Sequence, residues 1–119
     1  MRAARGAIVV KEDTAVSLLE ATERLLRALI DRNGVATEDL VSILFTVTDD
    51  LRAAFPAEAA RRMGLGLVPL MCAMEIPVRG SMASVVRILL HFRSDRALSE
   101  VEHVYLDGAE TLRDDRDES

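Results

Sequence analysis

The clearest alternation in the chain runs through Val85-Val86-Arg87-Ile88-Leu89-Leu90-His91-Phe92. Read at a period of two, Val86, Ile88, Leu90 and Phe92 make one wholly apolar face, while Val85, Arg87, Leu89 and His91 make the other. Residues 84–93 are therefore expected to form a strand with a guanidinium in its most apolar stretch. Arginine keeps its proton inside a protein, so Arg87 must reach water, pair with a protein anion or receive an anionic ligand.

A second pattern has helical spacing. Leu18, Leu19, Thr22, Leu25, Leu26, Leu29 and Ile30 recur on one side, with Glu20, Glu23, Arg24, Arg27 and Asp31 on the other. Asp13-Thr14 offers an N-cap and Asn33-Gly34 a stop. The spacing predicts one long amphipathic helix that covers a core and carries no chemistry.

Weaker signals fill in the rest. A strand is expected at 3–10, with Gly6 allowing close approach of another backbone. A helical turn follows at 37–39, then a strand at 41–48. A short helix spans 57–63, with Pro56 in its first turn, and Gly64 and Gly66 close it. A strand starts at 67–70, Pro77 and Gly80 bracket a turn, Ser99 caps another, and a last strand covers 103–106. Several strands with one long helix and short ones make an α+β domain, expected over 1–112. The sheet face that the long helix leaves bare is expected to meet another subunit. From Arg113 onward the sequence Arg-Asp-Asp-Arg-Asp-Glu-Ser favours a mobile acidic tail, 113–119.

Composition narrows the partners. The chain has 119 residues and a net charge of −5, which argues against nucleic acid. A small anion would need a local cluster of arginines to overcome that field. Half of the residues are hydrophobic and only 3% aromatic, so the core is aliphatic and Tyr105 stands out in a polar setting. The lone Cys72 leaves no internal disulfide and suits a reducing cytoplasm. The apolar run after Arg2 and Arg5 is too short for a signal peptide. No segment approaches the roughly 18–20 apolar residues of a membrane span. A soluble cytoplasmic protein is expected.

The catalytic groups are sparse. No Gly-x-Ser-x-Gly motif and no phosphate loop occur, and the two histidines, His91 and His103, lie in β-rich segments where packing explains them. Nothing has the spacing of a metal site. Cys72 has no basic neighbour in sequence and reads as an inert thiol. What remains is a set of arginines, Arg5, Arg61, Arg87 and Arg113, with Glu75 between apolar neighbours. An Arg87–Glu75 ion pair without function is the strongest rival to a binding role.

At this point the order of segments matters. The chain carries Arg5-Gly6-Ala7, Glu12-Asp13-Thr14, Thr46-Val47-Thr48-Asp49-Asp50-Leu51 and Phe55-Pro56-Ala57-Glu58-Ala59-Ala60-Arg61. It continues with Val68-Pro69-Leu70-Met71-Cys72-Ala73-Met74-Glu75, Val86-Arg87-Ile88, His103-Val104-Tyr105-Leu106 and Leu112-Arg113. In these segments it resembles the monofunctional chorismate mutases of the homotrimeric, barrel-like class. The resemblance implies a mixed sheet covered by one long helix, assembled as a trimeric pseudo-α/β-barrel with sites between subunits. It implies rearrangement of chorismate to prephenate, toward phenylalanine and tyrosine, with no cofactor and no metal.

By position it places site residues at Arg5, Phe55, Ala57, Arg61, Leu70, Met71, Cys72, Glu75, Arg87, Tyr105 and Leu112, with Arg113 helping to cover the site. Arg87, Glu75 and Arg5 would be catalytic. Arg87 would meet charge on the breaking ether oxygen, Glu75 would accept from the substrate hydroxyl, and Arg5 with Tyr105 would hold a carboxylate. Cys72 would be a polar contact. Three positions depart from some members: Glu58 replaces a lysine, Met71 a small polar residue and Asp114 a proline. Two rivals share the arginines or the shape: a non-catalytic trimer that binds an anionic metabolite, and an imine-hydrolysing trimeric barrel.

Overall fold

The computed structural model of the chain describes residues 1–112 and the backbone of Arg113; residues 114–119, which hold most of the expected tail, lie outside the described residues. Five strands form one sheet: β1 (Arg2–Val9), β2 (Leu40–Val47), β3 (Leu70–Met74), β4 (Val85–Phe92) and β5 (Val104–Leu106). Their spatial order is β3-β2-β4-β1-β5. The β2–β4 and β4–β1 pairs are antiparallel, while β2–β3 and β1–β5 are parallel. Two helices, α1 (Ala15–Arg32) and α2 (Ala57–Arg62), join the strands in an α+β domain.

The long helix forms where its apolar stripe predicts. Thr14 is the N-cap, its hydroxyl accepting from Ser17 N at 3.1 Å. The neighbouring Asp13 does a different job: its Oδ1 accepts from the backbone N–H groups of Arg52 and Ala53, each at 2.9 Å, and pins the loop after β2. Leu18, Leu25, Leu26 and Leu29 are fully buried against the sheet. Gly6 is what lets α1 come this close, because a Cβ there would sit 2.9 Å from the Cδ1 atoms of Leu25 and Leu29. Asn33 ends the helix and also ties it to the chain before β5. Its Nδ2 donates to Leu29 O and Glu102 O, and its Oδ1 accepts from Glu102 N, all at 2.9 Å.

Each strand turns alternate residues toward the helices. Ala4 and Ile8 of β1, Ile43 and Phe45 of β2, Val86, Ile88, Leu90 and Phe92 of β4, and Val104 of β5 join the buried residues of α1 and α2 in one core. Among the described residues neither α1 nor α2 covers the opposite face. A second, small cluster of Ala7, Val85, Ala109 and Leu112 sits at one end of that face, covered by the 3-10 turn Ala109–Arg113.

Three local expectations are corrected. The strand expected to start at 67–70 is β3, which begins at Leu70 and runs to Met74, with Leu67 fully exposed before it. Pairing decides this: β3 exists where it runs beside Ile43–Val47 of β2, and no local signal announces that register. Ser99 does not cap its turn; Glu100 reaches back to the Ala97 N–H at 2.7 Å. His103 stands just outside β5, where its Nδ1 accepts the Arg5 N–H at 2.9 Å, a ring doing the work of a strand carbonyl.

Candidate active site

The bare face of the sheet is built by the same alternation that builds the core. Arg5 and Ala7 of β1, Leu44 and Thr46 of β2, and Arg87 and Leu89 of β4 all project there, opposite the helices. The register sets their spacing. Thr46 lies directly across from Arg87, Ala7 pairs with Arg87 on the other side, and Arg5 pairs with Leu89. Arg5 and Arg87 are thus diagonal neighbours on one face, a separation long side chains can bridge. Ala7 between them is too short to fill the space.

Glu75 reaches the same place by continuing β3. The alternation that turns Met71 and Ala73 to the bare face carries Glu75 there too, and its N–H is fixed on Val47 O at 2.8 Å. Tyr105 arrives on β5 opposite Ala7, and Leu112 on the last 3-10 turn. Together Arg5, Leu44, Thr46, Glu75, Arg87, Leu89, Tyr105 and Leu112 line a hollow of about 400 Å³. The volume is in the range of small-molecule sites.

The charges inside are only partly satisfied. Arg87 Nε lies 2.5 Å from Glu75 Oε1, with the guanidinium side chain 43% exposed and the carboxylate 29%. The contact is an ion pair by distance, but the Nε–H does not point along it, and this buried nitrogen has no aligned hydrogen-bond partner. The only other buried side-chain polar atom in that condition among the described residues is Thr46 Oγ1, which lines the same hollow. Buried polar groups are nearly always paired, so two orphans in one hollow mark a place built for something else to bind.

The remaining sequence candidates form a second group that does not line this hollow. Phe55 is 74% exposed at the mouth of α2. Ala57 is buried in the core, so only its backbone can meet a ligand. Arg61 is exposed on α2, its Nη1 donating to Glu58 Oε2 at 3.0 Å. Leu70 and Cys72 lie on the helix side of β3, partly buried, whereas Met71 is 67% exposed on the bare side. The Arg113 side chain lies outside the described residues. Sequence reasoning missed Leu44, Thr46 and Leu89 as lining residues; the β2 and β4 alternation was the signal that could have found them. Both histidines have partners: Ser42 Oγ lies 3.1 Å from His91 Nδ1, and His103 holds the Arg5 N–H. Among the described residues no cluster of His, Cys, Asp or Glu could hold a metal ion, and no helix is long and apolar enough to cross a membrane.

Two guanidinia and one carboxylate converging on a hollow can hold a small, oxygen-rich anion that also offers a hydroxyl. Residues 1–116 match the profile of chorismate mutase type I. The chain is 47% identical over 116 residues to chorismate mutase AroH of Thermus thermophilus, an alignment covering 97% of this chain and 95% of the relative. It is 36% identical to chorismate mutase AroH of Bacillus subtilis (strain 168), covering 97% and 91%. A solved chorismate mutase from Clostridium thermocellum superposes with a TM-score of 0.92 at 44% identity, covering 94% of this chain and all of the other. The chain belongs to the chorismate mutase type I family. Its activity is that of a chorismate mutase, an isomerase, and the family decides against both the non-catalytic binder and the imine hydrolase.

Proposed function

We propose that the hollow on the bare sheet face is where chorismate binds and rearranges to prephenate, with Arg87 as the principal catalytic group. The observation that carries this reading is the state of Arg87: a permanently charged side chain beside Glu75 in the hollow, with its buried Nε–H left without an aligned acceptor. The rearrangement is intramolecular and needs no nucleophile, metal or cofactor. Holding the substrate in its compact reactive shape supplies part of the rate. Charge develops on the ether oxygen as its bond to carbon breaks, and a fixed guanidinium there favours the transition state over the ground state.

Arg5 and Tyr105 hold one substrate carboxylate, Glu75 accepts the substrate hydroxyl, and Leu112 supplies apolar wall. Phe55, Ala57, Arg61, Leu70, Met71 and Cys72 belong to the site through a neighbouring copy in a homotrimer, closing over the hollow from across the interface. The exposure of Phe55 and Met71, and a bare face that neither α1 nor α2 covers among the described residues, support that assembly. The product feeds phenylalanine and tyrosine synthesis in the cytoplasm.

The test mixes two variants. Arg87→Ala and Arg61→Ala should each lose turnover of chorismate. If sites are shared between subunits, refolding the two together should regain activity, because mixed trimers rebuild some intact sites. Sedimentation as a monomer, or mixed samples no better than either variant, would refute the shared site. The absence of proton transfer predicts turnover nearly flat with pH around neutrality and no sizeable solvent deuterium effect on the chemical step.

A further inference from the structure

Thr46 is not among the residues that either charge or family position singles out, yet among the described residues its hydroxyl oxygen is one of two orphaned buried side-chain atoms, and the other is Arg87 Nε. The two are chemically complementary: Nε–H can only donate, and a hydroxyl can accept. They also belong to residues directly opposite each other on β2 and β4, on the same face. Side chains so placed start about 5 Å apart at Cβ, within reach of a shared hydrogen bond.

In the structure Glu75 Oε1 stands 2.5 Å from Arg87 Nε, and neither that nitrogen nor Thr46 Oγ1 makes an aligned hydrogen bond. In the reading given above, substrate draws Glu75 toward its own hydroxyl. The carboxylate then cannot also anchor Nε, and the guanidinium loses what fixes its plane. Resting on that reading, we propose that Thr46 is the positioning residue for Arg87. When substrate engages Glu75, the Arg87 Nε–H swings onto Thr46 Oγ1, satisfying both orphans at once. The hydroxyl then fixes the base of the fork, and the two terminal nitrogens point into the hollow toward the breaking bond. A guanidinium held at Nε is aimed, whereas one held only by a departing carboxylate is not.

Thr46→Val keeps the shape and removes the acceptor. It should lower kcat about tenfold, the scale of one hydrogen bond. KM should stay within about twofold, because the contact forms around the reacting centre and not in initial capture. The melting temperature of the ligand-free protein should hold or rise, since an unpaired buried hydroxyl has been removed. Thr46→Ser, which restores the oxygen, should recover most of the loss. In an Arg87→Ala background Thr46→Val should cost nothing further.

Four results would overturn the proposal: a kcat for Thr46→Val within twofold of the parent, Thr46→Ser as impaired as Thr46→Val, additive losses in the double variant, or a Thr46→Val protein that has lost assembly and stability together. Failure of the site reading itself has a separate signature. Arg87→Ala alone would then keep normal turnover, whatever Thr46 does.

Discussion

The two faces of the sheet are made by the same strands and obey opposite rules. On the helix side of β4, Val86, Ile88, Leu90 and Phe92 are all at or below 2% exposure and belong to the main hydrophobic core. One residue out of phase, Arg87, Leu89 and His91 stay partly open, and the one charge among them is incompletely paired. The covered face gathers the hydrophobic stabilisation, and the bare face carries unsatisfied groups that stability alone would remove. Unpaired polar atoms persist in a folded domain only when the remainder of the structure offsets them.

That contrast can be broken first at Arg87. Arg87→Ala should reduce kcat by on the order of 10³ while the protein still folds, measured by steady-state assay with circular dichroism as the control. A folded variant with near-normal turnover would remove the distinction between the faces. The reciprocal change is Leu25→Ala on α1. It should cost about 3 kcal/mol in denaturant unfolding, as for other buried leucines, with kcat of the folded fraction preserved.

A smaller stability loss tests a polar element of the covered side. Asn33→Ala strips the paired bonds to Leu29 and Glu102 and should cost about 2 kcal/mol by the same unfolding measurement, again without a change in kcat. The smallest effect concerns pH. The Asp107 carboxyl lies below its ordinary value, chiefly through the hydrogen bond from Arg24 and also its charge, with burial pulling the other way. A lowered carboxylate contributes stability that is complete above the ordinary range near about pH 4 and is lost as pH falls below it. Both partners are well exposed, so the contribution is a few tenths of a kcal/mol. Asp107→Asn should lower stability at neutrality by that amount, and the difference from the parent should vanish as pH falls below about 4, which flattens the acid limb slightly.

Much of this was legible in the amino-acid order because local pattern and tertiary role coincide. α1 has caps, a stripe and a stop, and β4 alternates without a break, so both appear within a residue or two of their expected bounds. β3 was misplaced because five residues at a sheet edge carry almost no pattern of their own; β2 decides where they pair. The charged members of the hollow announced themselves as arginines and a glutamate among apolar neighbours. Thr46 did not, since a threonine in a β-rich run is already explained by propensity. Only the register that sets it against Arg87 makes it informative. The second group of candidates, from Phe55 to Cys72, follows from family order, and a single chain's contacts do not gather them into the hollow.

The parallel pairing of β5 with β1 has a consequence for how the protein is made. β1 keeps one edge open until Val104–Leu106 is made and seals it. Tyr105 and Leu112, two walls of the hollow, come with that final segment. A nascent chain stopped short of residue 104 would hold four strands, an incomplete pocket and a naked border at Gly6-Ala7-Ile8. That border is a template for sticking to other chains, so premature termination here should yield aggregates before it yields a weak enzyme.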